Sequence, residues 1–95
     1  MARYVSLLKF THQGVRSLKQ SSARAAAFCK AAEKAGVKVE AQLWTVGQYD
    51  GILILSAEDE TKVLATIAKL GALGNIHTHT MPAYDSAQFA TIVGK

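Results

Sequence analysis

The stretch Leu43-Trp44-Thr45-Val46-Gly47-Gln48-Tyr49-Asp50-Gly51-Ile52-Leu53-Ile54-Leu55 constrains the fold more than any other part of this chain. It reads as two strands joined by a tight turn at Gly47-Gln48, where glycine supplies a positive φ. The second strand, Tyr49 to Ser56, places Ile52 and Ile54 on one face and Leu53 and Leu55 on the other. A strand apolar on both faces belongs in the middle of a sheet with both sides covered. A chain of 95 residues has too few helices to cover both.

The remaining elements follow from periodicity. Arg3 to Phe10 is strand one, with Tyr4, Leu8 and Phe10 on one face and Val5 and Leu7 on the other. Thr11 to Gln20 is a connection that bends at Gly14 and has room for a short helical turn. Ser21 or Ser22 caps a helix that runs to Ala35 and stops at Gly36. Its apolar face is Ala25, Phe28, Ala32 and Ala35, and small residues let a helix lie close to a sheet. Val37 to Thr45 alternates, with Val37, Val39, Ala41 and Leu43 on one side and Lys38, Glu40 and Gln42 on the other, as in an edge strand. Ser56-x-x-Asp59 resembles a capping box before a second helix carrying Val63, Leu64, Ile67 and Leu70. Ile76 to Pro82 is strand four, with His77, His79 and Met81 on one face. Asp85 or Ser86 caps a final helix that packs Phe89, Ile92 and Val93.

The order β-α-β-β-α-β with a central hairpin is the ferredoxin-like arrangement. It predicts an α+β fold: a four-stranded antiparallel sheet, strands one and three central, both helices on one face. Residues 1–95 then form one domain, which buries roughly 60–70% of its unfolded surface. The opposite sheet face is left uncovered. Leu53 and Leu55 exposed beside Val5 and Leu7 would be worth on the order of 6–10 kcal/mol per subunit if covered, before association costs. A second copy packed sheet to sheet covers them, so the chain is expected to be a homodimer forming an α+β barrel.

Composition narrows the function classes. One cysteine, Cys29, excludes an internal disulfide and fits a reducing compartment. With no leader pattern at the N-terminus and no apolar run near the ~20 residues of a membrane span, a soluble cytoplasmic protein is expected. The net charge of +4 is uneven: residues 1–38 carry eight of the eleven Lys and Arg against one acid, Glu33. No two of these bases are adjacent, and strand three offers aliphatics where an RNA-recognition sheet needs exposed aromatics, so no nucleic-acid or membrane partner is expected.

Several segments resemble the GYD-domain proteins, small bacterial proteins of the dimeric α+β barrel type. The resemblance rests on Tyr4-Val5-Ser6-Leu7-Leu8-Lys9-Phe10-Thr11 followed by Gln13-Gly14, on Trp44-Thr45-Val46-Gly47-Gln48-Tyr49-Asp50, and on Leu73-Gly74-Asn75-Ile76. It implies the same fold and dimeric assembly, and carries no settled activity. The chain departs from that pattern in strand four, where His77 and His79 stand at positions often held by a base and an acid.

Four residues are candidates for a pocket or ligand site: Tyr49, Asp50, His77 and His79. Tyr49 and Asp50, past the turn, supply a phenol and a carboxylate that either serve a pocket rim or pack and cap the turn. His77 and His79 project the same way with Cβ atoms ~7 Å apart, a spacing that a metal could use only with a third ligand such as Asp50 or His12. Neither a metal nor another cofactor is expected. His12 and Arg16 fit an anion contact or a solvated loop, and Cys29 a buried inert thiol. The residues therefore suit a small-ligand-binding or regulatory module. The alternatives are a cofactor-poor enzyme, monooxygenase- or isomerase-like, acting on a small apolar substrate, and a subunit that exists only to associate.

Overall fold

The computed structural model describes residues 2–94. Strands β1 (Ala2–Phe10) and β3 (Gly51–Ala57) lie antiparallel at the centre of a four-stranded sheet. β2 (Lys38–Trp44) and β4 (Ile76–Ala83) form its edges, giving the order β2-β3-β1-β4. This is the ferredoxin-like arrangement. The long connection after β1 holds α1 (His12–Arg16) and a 3₁₀ turn (Leu18–Gln20) ahead of α2 (Ser21–Lys34). α3 (Glu60–Ala72) joins β3 to β4, and α4 (Ser86–Val93) follows β4.

Register decides which residues meet the helices. Tyr4 pairs with Leu55, Ser6 with Leu53 and Leu8 with Gly51. Opposed residues of an antiparallel pair share a face. Leu53, Leu55 and Ala57 therefore join Ala32 of α2, Val37, and Val63 and Ile67 of α3 in the core, with Tyr4, Leu8, Phe28, Val39 and Leu70 packed around them. The uncovered face carries Ile52 and Ile54, not Leu53 and Leu55. Alternation alone shows that two faces exist; the pairing with β1 decides which faces the helices. The rest of the open face is Val5 and Leu7 from β1, Ala41 and Leu43 from β2, and His77, His79 and Met81 from β4. The chain is only 17 Å deep, room for one sheet and one helical layer.

Edge strand β2 departs from simple alternation. A bulge between Val39 and Ala41 inserts Glu40, whose carboxylate lies 3.7 Å from the Arg3 guanidinium. A bulge shifts the facing pattern by one residue. Val39 thus faces the helices with Leu55, while Ala41 and Leu43 turn to the open side with Ile54 and Ile52. Gln42 and Trp44 turn toward α2 instead: Gln42 Nε2 donates to the Ala25 carbonyl at 2.9 Å, and Trp44 Nε1 to Ser21 Oγ at 3.0 Å. Ser21, with its hydroxyl engaged by Trp44, does not cap α2. It is the first helical residue, and Gln20 at the cap makes no side-chain bond.

Other boundaries also move for local reasons. The hairpin closes with a longer loop: Thr45 N–H donates to the Asp50 carbonyl at 2.9 Å and Thr45 Oγ1 to the Tyr49 carbonyl at 2.6 Å. Gly47, with φ 132°, still provides the positive φ. Asp59 alone caps α3, accepting from Thr61 N–H at 2.9 Å, because Ser56 remains in β3. α2 ends as the sequence predicts, at Gly36 with φ 86°.

α4 has a complete capping box. Asp85 Oδ1 accepts from Gln88 N–H and Gln88 Oε1 from Asp85 N–H, both at 2.8 Å. It does not pack as the sequence suggests. Every one of its residues is exposed, and Phe89, Ile92 and Val93 each keep more than half of their surface accessible.

Candidate functional site

α2 is rich in alanine, and alanine reaches little beyond the backbone. Where α2 and α3 stand apart over the sheet, these short side chains leave a cleft of about 550 Å³. Clefts that bind small molecules span roughly 300–1,000 Å³. The floor is Leu8, Phe10 and Leu53 of the sheet. Ala25, Phe28 and Ala31 form the α2 wall, and Ala65 and Leu70 the α3 wall. Polar groups gather at one end, where β1 finishes, β3 begins, α2 starts and α3 stops: Arg24, Gln42, Asp50, Lys69 and Asn75. Lys62 lies at the other end, its ammonium packed over Gly36.

The polar end is built by cross-bracing of distant segments. Asp50 Oδ2 accepts from Phe10 N–H at 2.8 Å, and the Leu8 carbonyl accepts from Asp50 N–H at 2.8 Å. Thr11 caps α1 by accepting from Gly14 N–H at 3.1 Å, and its own hydroxyl donates to the Gly74 carbonyl. Thr11 N–H donates to the Asn75 carbonyl at 3.0 Å, and Gln13 Nε2 reaches the Leu73 carbonyl at 2.9 Å and Asn75 Oδ1 at 3.0 Å. Gly14 is not a bend. It lies inside α1 against Asn75, where a Cβ would collide with the Asn75 carbonyl oxygen.

The four residues picked from the sequence divide between the two faces of the sheet. Asp50 lines the cleft. His77 and His79 stand opposite Lys9 and Leu7 on the open face. Tyr49 meets His79 edge-on, with ring centroids 5.8 Å apart, and the Lys9 ammonium donates to the neighbouring Gln48 carbonyl at 3.0 Å. Tyr49, His77 and His79 therefore form one group, and Asp50 belongs to the other site. Among the described residues no three of His, Cys, Asp and Glu come together as a metal-ligand set.

The segments that brace the polar end are those that carry the family resemblance, and the sequence profile of the GYD domain matches residues 4–93. The chain belongs to the GYD-domain family. No curated protein and no solved structure gives a match.

In this GYD domain the family's own residues have visible structural work. Asp50 ties the start of β3 to the end of β1, and Leu73-Gly74-Asn75 receives the Thr11 and Gln13 bonds. Cys29 is half-buried, and partial burial together with the Glu33 carboxylate 3.6 Å away raises its thiol pKa, so it is a poor nucleophile at neutral pH. Reading residues one at a time missed the cleft-facing Arg24, Gln42, Lys69 and Asn75. The available signal was the run Ala25-Ala26-Ala27, with Ala31 and Ala35 beyond it. An alanine face without matching bulk on the opposing helix leaves space.

Proposed function

We propose that this GYD domain binds a small, largely apolar molecule in the cleft between α2 and α3, and that it does so as a homodimer. The observation that carries the reading is the cleft itself: about 550 Å³, walled mostly by Ala, Phe and Leu, with its charged groups at the ends. Such a combination suits a ligand with an apolar body and one polar part. An enzymatic role built on Tyr49, Asp50, His77 and His79 would need those groups to converge on the cleft. Of the four candidates only Asp50 lines it, and one Asp50 oxygen is engaged by Phe10 N–H. A purely structural subunit would gain stability by filling the space. A cytoplasmic setting fits the unpaired Cys29 thiol.

The dimer is argued from two uncovered surfaces. Val5, Leu7, Ile52 and Ile54 form a flat apolar centre on the open face, continued by Leu43 and Met81 on the edge strands. α4 departs from the end of β4, next to Met81 and Tyr84, and presents Phe89, Ile92 and Val93. An isolated eight-residue helix is marginal in water, so α4 needs a surface to pack on. A second copy applied to the open face provides a matching apolar surface and brings a flank within reach of α4.

The uncharged fluorophore N-phenyl-1-naphthylamine tests the site. Uptake should saturate at one per chain and be lost in Ala31→Trp, which fills the cleft. Uptake unaffected by Ala31→Trp would remove the cleft as the site. Light scattering after size exclusion should return twice the chain mass, and a monomer would end the assembly reading.

A further inference from the structure

Hydrogen-bond accounting at the polar end of the cleft points to the ligand's chemical class. The acceptors there are largely occupied. One Asp50 oxygen takes Phe10 N–H, Asn75 Oδ1 takes Gln13 Nε2, the Asn75 carbonyl takes Thr11 N–H, the Ala25 carbonyl takes Gln42 Nε2, and Ser21 Oγ takes Trp44 Nε1. Among the side-chain oxygens at this end, the second Asp50 oxygen and Gln42 Oε1 have no hydrogen-bond partner among the described residues.

The donors are in excess. Arg24 gives Nη1 to the Ser17 carbonyl at 2.8 Å and to Ser17 Oγ at 3.0 Å. Its Nε and Nη2 have no partner among the described residues. The same holds for Asn75 Nδ2, half-buried like Arg24, and for the ammonium of Lys69, which is exposed to solvent at the cleft mouth. The one ion pair among the described residues, Arg3 with Glu40, is elsewhere. Cationic side chains on the cleft number three, Arg24, Lys62 and Lys69, against the single carboxylate of Asp50. Arg24 is half-buried and already held in place by Ser17, so it loses little side-chain freedom on meeting a ligand.

We infer that the cleft takes an amphipathic anion, its apolar body over Leu8, Phe28 and Leu53 and its carboxylate between Arg24 and Lys69. This rests on the cleft being the ligand site. A carboxylate supplies acceptors where the protein has unpaired donors, and charge-assisted bonds are about twice as strong as neutral ones. The apolar walls contribute affinity to any ten-carbon chain, so the head group alone tests the inference.

The test is displacement of N-phenyl-1-naphthylamine by decanoate, decanol and decylammonium at pH 7.5, below their aggregation thresholds. Decanoate should displace at about tenfold lower concentration than decanol, with decylammonium weakest. Arg24→Gln and Lys69→Gln should each bring decanoate back toward decanol without altering decanol itself. Lys69→Gln carries the test alone if the loss of the Ser17 contacts unfolds Arg24→Gln. Added salt should shrink the decanoate advantage. Equal displacement by decanoate and decanol overturns the anion inference and leaves the cleft as a neutral apolar site. Tightest binding of decylammonium overturns it in favour of Asp50 as the head-group partner. No uptake of the fluorophore removes the cleft reading, and this inference with it.

Discussion

Phe10 and Asp50, forty positions apart in the chain, are joined by a 2.8 Å bond from the Phe10 N–H to the Asp50 carboxylate. The bond pairs a half-buried backbone donor at the point where β1 leaves the sheet. Asp50→Ala leaves that donor unpaired and should lower stability by about 1–3 kcal/mol in urea denaturation. Asp50→Asn keeps an oxygen in place and should recover most of the loss. Equal losses in the two variants would show that the carboxylate's charge, not its acceptor geometry, is what matters.

Gly14 and Gly71 give a paired test of close approach. A methyl group on Gly14 meets the Asn75 carbonyl oxygen, while one on Gly71 meets nothing within 4 Å. Gly14→Ala should destabilise by about 1–3 kcal/mol, the range for overpacking. Gly71→Ala, within α3, should raise stability by up to about 1 kcal/mol. Thermal melts of the two variants should shift in opposite directions.

Leu55 and Ile54 are neighbours in β3 that point to opposite faces. Leu55 is fully buried, and Leu55→Ala should cost about 2–5 kcal/mol at any protein concentration. Ile54→Glu places a charge on the open face, so it should yield a folded monomer with unchanged far-ultraviolet dichroism. An intact dimer in Ile54→Glu would exclude that face as the interface.

For α4, Phe89→Ser combined with Ile92→Ser should leave the melting temperature of the monomeric Ile54→Glu background nearly unchanged, since both residues keep more than half of their surface exposed. In the dimeric parent the same pair should raise the concentration at which the dimer dissociates. A lowered melting temperature in the monomeric background would mean that α4 folds back on its own chain.

Asp59 gives a pH prediction with a defined sign. Hydrogen bonds from the Thr61 hydroxyl and backbone N–H hold its carboxyl pKa below the ordinary value. A lowered folded-state pKa means that the unfolded chain binds the proton more readily. The stabilisation from Asp59 is therefore complete above the ordinary carboxylate pKa, and is lost as the pH falls through the lower folded value. Asp59→Ala should melt below the parent at neutral pH, and the gap should narrow in acid. A gap that does not change with pH would contradict a role for the ionised cap.

Much of this architecture was legible in the chain. The two-faced apolar pattern of Ile52 to Leu55 and of Val5 to Leu8 placed β3 and β1 at the centre of the sheet, because a central strand needs apolar residues above and below. Gly36 marked the end of α2, and Asp85 or Ser86 the start of α4, because caps act within one helical turn. The bulge at Glu40 was not legible: it reverses the facing of Ala41 and Leu43, and its position depends on pairing with a strand that comes later in the chain. For the same reason, alternation could not tell whether Leu53 or Ile52 would face the helices.

Local periodicity and capping thus determine which segments become helix or strand and which strands are central, since those preferences act over a few residues. Register, facing and the cleft depend on groups far apart in sequence. Asp50 was picked from the chain beside Tyr49, yet both lie in the loop before β3, where tertiary contacts set the facing, and the fold gave Asp50 to the cleft and Tyr49 to the open face. Arg24 lies on α2, Lys69 on α3 and Asn75 in the turn between α3 and β4. Only packing α2 and α3 on one sheet brings their unpaired donors to the same end of the same space.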